Sequence, residues 1–301
     1  MARKTLTAAI KEGRILISDG AWGTFLLSKG LQIGECPELW CLERPDDVLD
    51  IAKAYVAAGS DIIGTNSFGG SRFKLEGYGL GERVREINQA AASLSRKAAG
   101  EDRWVMASMG PTGKILLMGE VTEEELYIAF KEQATALAAG GADALCIETM
   151  SAIDEAVIAV KAAKENTACQ VICTFTFSKT LKGEYRTMMG VAPQEAAEAA
   201  VQAGADIIGT NCGNGAAGMV DIVKQMRAAL SDVPLIVQAN AGMPQNINGM
   251  DVFPETPEVM ASYVEQLIEA GANIIGGCCG TTPGHIKAIK AAALRVGNTG
   301  R

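Results

Sequence analysis

Four stretches decide the fold: AAGSDIIGTNSF (57–68), AGGADALCIETM (139–150), QAGADIIGTNCG (202–213) and EAGANIIGGCCG (269–280). Each passes from helix-forming residues through a glycine and an Asp or Asn into a short apolar run, then into small residues, most of them polar. The glycine supplies a left-handed turn that ends a helix. The apolar run lacks alternation and reads as a strand buried on both faces. Filling the intervals predicts strands at 15–21, 61–68, 104–110, 144–150, 170–177, 206–212, 235–241 and 273–279. Helices are predicted at 46–58, 82–99, 122–139, 151–165, 193–203, 216–230 and 257–270, and a last one from about 284. Thr122 with Glu125 forms a capping-box pattern, and Thr256 precedes Pro257 at another helix start. Eight such units point to a single-domain (β/α)8 barrel of the TIM type spanning 1–301. A doubly wound open sheet is the alternative, although it rarely has eight even units.

Bulk properties narrow the function. The 301 residues are 48% hydrophobic and 5% aromatic, enough for a large aliphatic core. A net charge of −8 with scattered Lys and Arg argues against nucleic-acid binding, which needs clustered cations. No apolar run reaches the roughly 20 residues of a bilayer span, and no secretory leader is legible. The expected location is the cytoplasm, where eight cysteines read as metal-binding or catalytic rather than disulfide-forming. The one histidine, His285 in PGHIKA, is expected to be a surface or helix-terminus residue. Its solitude argues against His-rich metal sites and Ser-His-Asp chemistry, which need a well-placed histidine, and it weakens a metal-dependent aldolase or lyase reading.

In such a barrel the chemistry sits at the C-terminal ends of the strands. Those ends gather Asp19-Gly20-Ala21, Thr65-Asn66-Ser67, Gly110-Pro111-Thr112, Glu148-Thr149, Asn211-Cys212-Gly213, Asn240-Ala241-Gly242 and Cys278-Cys279-Gly280. Cys212 ends the sixth strand and Cys278-Cys279 the eighth, so three thiols from even strands can converge in one layer. Three thiolates with one open position describe a catalytic Zn²⁺ site. Core packing and a strained vicinal disulfide are the alternatives. Cys146, Cys169 and Cys173 read as small core hydrophobes, and the Cys36–Cys41 pair as structural. Asp19 alone could be a turn residue, whereas Glu148 at the end of a buried strand calls for a cation.

The motifs DGAWGT (19–24), GSDIIGTNSFGG (59–70), MGPTG (109–113), IET (147–149), GTNCG (209–213), NAG (240–242) and GGCCGTTP (276–283) run in order along nearly the whole chain. Together they resemble the homocysteine S-methyltransferase family, and most closely the homocysteine-binding barrel of cobalamin-dependent methionine synthase. The resemblance implies a cytoplasmic methyltransferase of methionine biosynthesis. Cys212, Cys278 and Cys279 would hold one zinc, and Asp19 and Glu148 the substrate ammonium. Backbone amides near Gly20 and Ala21 would take the substrate carboxylate. Asn240 would either make a structural hydrogen bond or fill the fourth zinc position when substrate is absent. Thr65, Asn66 and Asn211 are supporting candidates around the site, with plain scaffold roles equally open. The sequence has no DxHxxG motif, no room for a folate domain, and ends just past the eighth helix. The resemblance to the cobalamin-dependent branch implies methylcobalamin on a separate corrinoid protein as the methyl donor. S-methylmethionine is the rival donor, and a non-catalytic zinc- or thiol-binding subunit of a corrinoid complex is the reading from another class.

Overall fold

The apolar runs become eight parallel strands in the computed structural model, which describes residues 3–247 and 250–299. They are β1 (Leu16–Ile17), β2 (Ile62–Ile63), β3 (Trp104–Met109), β4 (Ala144–Met150), β5 (Gln170–Phe175), β6 (Ile207–Asn211), β7 (Leu235–Ala239) and β8 (Ile274–Gly277). The order β1-β8-β7-β6-β5-β4-β3-β2 wraps into a nearly closed (β/α)8 barrel. At the seam between β1 and β2, the Asp61 amide donates to the Ile17 carbonyl at 2.7 Å.

A short helix, α1 (Leu6–Lys11), precedes the barrel. Outside it lie α2 (Pro45–Ala58), α3 (Val84–Ala99), α4 (Glu123–Ala139), α5 (Ile153–Asn166), α6 (Pro193–Ala203), α7 (Ala216–Ala229), α8 (Pro257–Ser262), α9 (Val264–Glu269) and α10 (Pro283–Thr299). The Thr122–Glu125 capping box and the Thr256 cap before Pro257 are both formed. The helix expected over 257–270 is divided at Tyr263, whose amide bonds back only three residues to Met260. Two hairpins, Ser178–Lys179 with Tyr185–Arg186 and Gln245–Ile247 with Met250–Val252, decorate the loops after β5 and β7. No helix among the described residues is long and apolar enough to cross a membrane.

The four deciding stretches repeat because they do one mechanical job. Gly59, Gly141, Gly204 and Gly271 all take φ between 97° and 106°, so each helix can turn sharply into an even strand. The next acidic or amide residue then clamps the odd strand beside it. Asp61, Asp143, Asp206 and Asn273 donate their amides to the carbonyls of Ile17, Val105, Val171 and Leu235 at 2.7–2.9 Å. Their side chains accept the amides of the same four residues at 2.7–2.9 Å. Cations close all four clamps: Lys290 on Asp61, Arg3 and Arg96 on Asp143, Lys164 on Asp206, and Arg227 on Asn273. Asp143→Ala would strand two guanidinium groups and the Val105 amide. It is expected to cost about 3 kcal/mol in urea unfolding. A loss under about 1 kcal/mol would contradict this role for the clamp.

The core has two layers. Leu16, Ile62, Trp104, Met106, Ala144, Cys146, Ile172, Ile207, Ile236 and Ile274 point inward, and Leu6, Ala9 and Ile10 of α1 close the floor beneath them. Their neighbours in the chain face outward against the helices. The floor is therefore dry, and the polar strand ends are left to the opposite mouth.

Candidate metal and substrate site

The strands stop earlier than the sequence implied, and the site lies in the loops beyond them. β6 ends at Asn211 and β8 at Gly277, so the three cysteines open the loops instead of closing the strands. They are still held by the sheet: the Cys212 amide donates to Gln238 at 3.1 Å and the Cys278 amide to Ala239 at 2.7 Å. Cys212 adopts φ 58°, a left-handed conformation uncommon away from glycine. Gly277 permits a close crossing, since a Cβ there would lie 2.3 Å from Thr281 Oγ1. That hydroxyl donates to the Cys278 carbonyl at 2.7 Å and fixes the turn.

The result is a triad of sulfurs all within 4.8 Å of one another, with Cys212 and Cys279 at 3.8 Å. Tetrahedral zinc with bonds of about 2.3 Å sets its sulfurs about 3.8 Å apart. No other group of three Cys, His, Asp or Glu side chains among the described residues converges this way. All eight cysteines are free thiols, so the vicinal disulfide is not formed. The electrostatics favour a cation. Thiol donation from Cys278 and Cys279, and from Asn240, pulls the Cys212 thiol down to about 3. The charge then on Cys212 helps push Cys279 up to about 12. The cluster carries one thiolate by itself, and all three would ionise only around a positive ion.

The triad borders a cavity of about 300 Å³ at the barrel mouth, together with Asp19, Glu148, Ser108, Asn211 and Gln238. Asp19 is buried and accepts the Gly64 amide at 2.6 Å and the Trp22 indole at 2.9 Å. That side-chain bond takes the place of further strand pairing and explains why β1 and β2 are so short. Burial outweighs these donors and raises Asp19 to about 6. Glu148 accepts a short hydrogen bond from Ser108 Oγ, and burial, with the charges of Asp19 and Cys212, raises it to about 7. Neither carboxylate has a cationic neighbour among the described residues. A buried Asp19 and a half-buried Glu148 in one cavity without a counter-charge suit a cationic ligand.

Some expectations need correction. The Ala21 amide is already committed to Thr281 Oγ1 at 3.0 Å, so it is not an open donor for a carboxylate. Gly20 packs tightly under Thr281 and Tyr55 and lines the cavity. Asn240 hydrogen-bonds to Cys212, is not among the residues that line the cavity, and its Oδ1 has no partner. His285 is at a helix terminus but buried: Nδ1 accepts the Thr282 amide at 3.1 Å and Nε2 faces the Glu255 carbonyl at 2.9 Å. Cys169 is only partly buried, and Cys146 forms part of the cavity floor as well as the core. Cys36 and Cys41 are buried beside Glu38 and Asn66. Thr65 bonds to Ser67 and to the Ser108 amide, and Asn66 to the Pro37 carbonyl.

Ser108, Trp22, Gln238 and Glu38 also line the cavity and were not singled out from sequence. An inward position on β3 or β7 was the available signal for Ser108 and Gln238.

Residues 16–293 match the family model described as homocysteine S-methyltransferase. The chain belongs to that family. Among its relatives, the methionine synthases of Mycobacterium tuberculosis and Mycobacterium leprae are each 30% identical, over 299 and 298 residues, covering 94% of this chain. These alignments cover 25% and 24% of the relatives, so the chain spans about a quarter of their length. In fold, the chain is similar to the metallated form of homocysteine methyltransferase MmuM from Escherichia coli. That match has TM-score 0.78 and 24% identity, covering 95% of this chain and 99% of the other. All seven motifs of the homocysteine S-methyltransferase pattern lie inside the matched residues.

Proposed function

We propose that this protein is a zinc-dependent S-methyltransferase that converts homocysteine to methionine, with the methyl group delivered by a corrinoid on a separate protein. One observation carries the reading: a soft-metal triad and two uncompensated carboxylates share a single cavity. A ligand with a thiol at one end and an ammonium at the other answers both. Cys212, Cys278 and Cys279 would hold the metal, and Asn240 is the candidate protein oxygen for its remaining place when substrate is absent. Bound there, zinc would supply the substrate sulfur as a thiolate at neutral pH.

The chain's own contribution is placement. Asp19 and Glu148 would hold the ammonium and fix the sulfur at the mouth, where a donor can approach in line. The S–CH3 bond forms as the donor–CH3 bond breaks, and the thiol proton has already left to solvent. The resemblance to methionine synthases supports the corrinoid donor. Zinc-loaded protein should methylate homocysteine from methylcobalamin, free or on a partner, and not from S-methylmethionine. The reverse result would replace the donor, and turnover with neither, despite zinc and homocysteine binding, would favour a non-catalytic subunit.

The reading also sets a pH dependence. Asp19 rises to about 6 and Glu148 to about 7 in the ligand-free protein, so acidification neutralises the pair. Ammonium binding needs both charged. The homocysteine dissociation constant should therefore increase steeply as pH falls from 7.5 to 5.5, by at least about tenfold. Isothermal titration across that range checks it, and a flat profile would refute the assignment.

A further inference from the structure

Asn211 is the residue through which the two halves of this site touch. It ends β6, is 1% exposed, and sits between the metal triad and β4. Its Oδ1 accepts the Thr149 amide at 2.8 Å and the Thr174 hydroxyl at 2.7 Å. Its Nδ2 donates to Thr149 Oγ1 at 2.8 Å and lies 4.0 Å from Cys278 Sγ. A side-chain amide has two donors and two acceptor lone pairs. Here both faces are engaged, so neither a flip nor a rotation is open to it. A flip would set its NH2 against the Thr149 amide.

The backbone on either side is unusual in the same way. Thr149 and Cys212 are the two non-glycine residues with positive φ among the described residues, at 63° and 58°. For a β-branched residue this is a true outlier, which persists only where its surroundings impose it. Thr149 follows Glu148 by one peptide, in a stretch where the β4–β5 register shifts between Ile147 and Met150. Such bulges re-aim side chains. Cys212 follows Asn211 by one peptide. Asn211, one peptide from the metal ligand Cys212, therefore grips the residue one peptide from the Glu148 carboxylate.

We propose that Asn211 is a positioning residue that fixes the separation between the Glu148 carboxylate and the Cys212–Cys278 sulfurs, so that the site measures the length of its aminothiol. This rests on the function proposed above. A rigid separation would accept homocysteine and reject cysteine, which is one methylene shorter and cannot reach both ends. A loosened site would still bind both thiols but discriminate less. A residue that merely stabilised the barrel would lower the melting temperature without touching that ratio.

The test compares Asn211→Ala, Thr149→Ala and Thr149→Ser with the wild type after loading with Co²⁺, whose sulfur charge-transfer bands report thiol binding without turnover. Titration with homocysteine and with cysteine gives a dissociation-constant ratio for each protein. In Asn211→Ala the preference for homocysteine should fall at least about tenfold, the scale typical of groups that orient metal ligands. Thr149→Ala should move the same way by less, and Thr149→Ser should restore the wild-type ratio. Should Asn211→Ala fail to fold or to take up metal, Thr149→Ala against Thr149→Ser decides alone. A ratio within twofold of wild type in the alanine variants would overturn the proposal, whatever their stability. Wild-type protein that bound neither thiol would instead overturn the function above, so the two failures are distinguishable.

Discussion

Cys212→Ser, Cys278→Ser and Cys279→Ser proteins are each expected to lose stoichiometric zinc and to lose methyl transfer by at least about a thousandfold. The reasons are geometric and electrostatic. The three sulfurs lie within 4.8 Å, close enough that a single ion meets all of them. Removing one leaves two protein thiolates, and a hydroxyl at neutral pH is a poor replacement because it stays protonated. Each cysteine also has a fixed backbone, Cys212 through Gln238, Cys278 through Ala239 and Thr281, and Cys279 through Ala241, so a neighbour cannot swing in to compensate. Metal analysis after dialysis reads the result directly, and near-unit zinc in any of the three variants would show that the triad is not the metal site. The fold should persist, because the cysteines lie in loops at the mouth and the barrel core does not depend on them.

Glu148→Gln should show two opposite effects of comparable size. Homocysteine turnover is expected to fall about a hundredfold or more in kcat/KM, since one of the two charges proposed to hold the ammonium would be gone. Stability should move the other way. Burial raises Glu148 from 4.5 to about 7, so the folded protein resists its ionisation. A carboxyl raised on folding favours the native state at low pH, and that contribution is lost as pH climbs through the folded value. At pH 8 the charged group therefore costs stability, about 3 kcal/mol for a shift of this size. The glutamine variant should melt roughly 5 °C above wild type at pH 8. The two should converge only below about pH 4, where the wild-type carboxyl is protonated in the unfolded chain as well as the folded one. Asp19→Asn should behave alike but more weakly, because Gly64 and Trp22 already offset part of its burial. Equal melting temperatures at pH 8 would contradict the electrostatic account, and unchanged turnover would contradict the substrate role.

The barrel was legible because its four helix–glycine–acid–strand repeats are written locally. Asp61, Asp143, Asp206 and Asn273 each stand at the same point of the same unit, and each clamps the preceding odd strand. The helices were placed within two residues, since their ends are marked by Gly, Pro or a cap. Apart from β4, strand ends were not. Asp19 takes the Gly64 amide that would have extended a ladder, and such a long-range side-chain bond leaves no periodic trace. The floor helix α1 also escaped notice, as six residues are too few to show a pattern. For the site, the conspicuous residue types were found. Cys278-Cys279 between glycines and Glu148 after an apolar run stand out against their surroundings. What sequence could not reveal was which backbone groups were spoken for. Ala21 looked available until Thr281 was seen to occupy its amide, and Asn211 looked like scaffold until its contacts with Thr149 were visible.

The most direct test of the account is zinc-edge X-ray absorption on the wild-type protein before and after adding homocysteine. Three sulfurs and one lighter atom should surround the metal at first. A fourth sulfur at about 2.3 Å should replace the lighter atom when substrate binds. An unchanged shell, or fewer than three sulfurs at the start, would mean that the thiol is not activated where the cysteines meet.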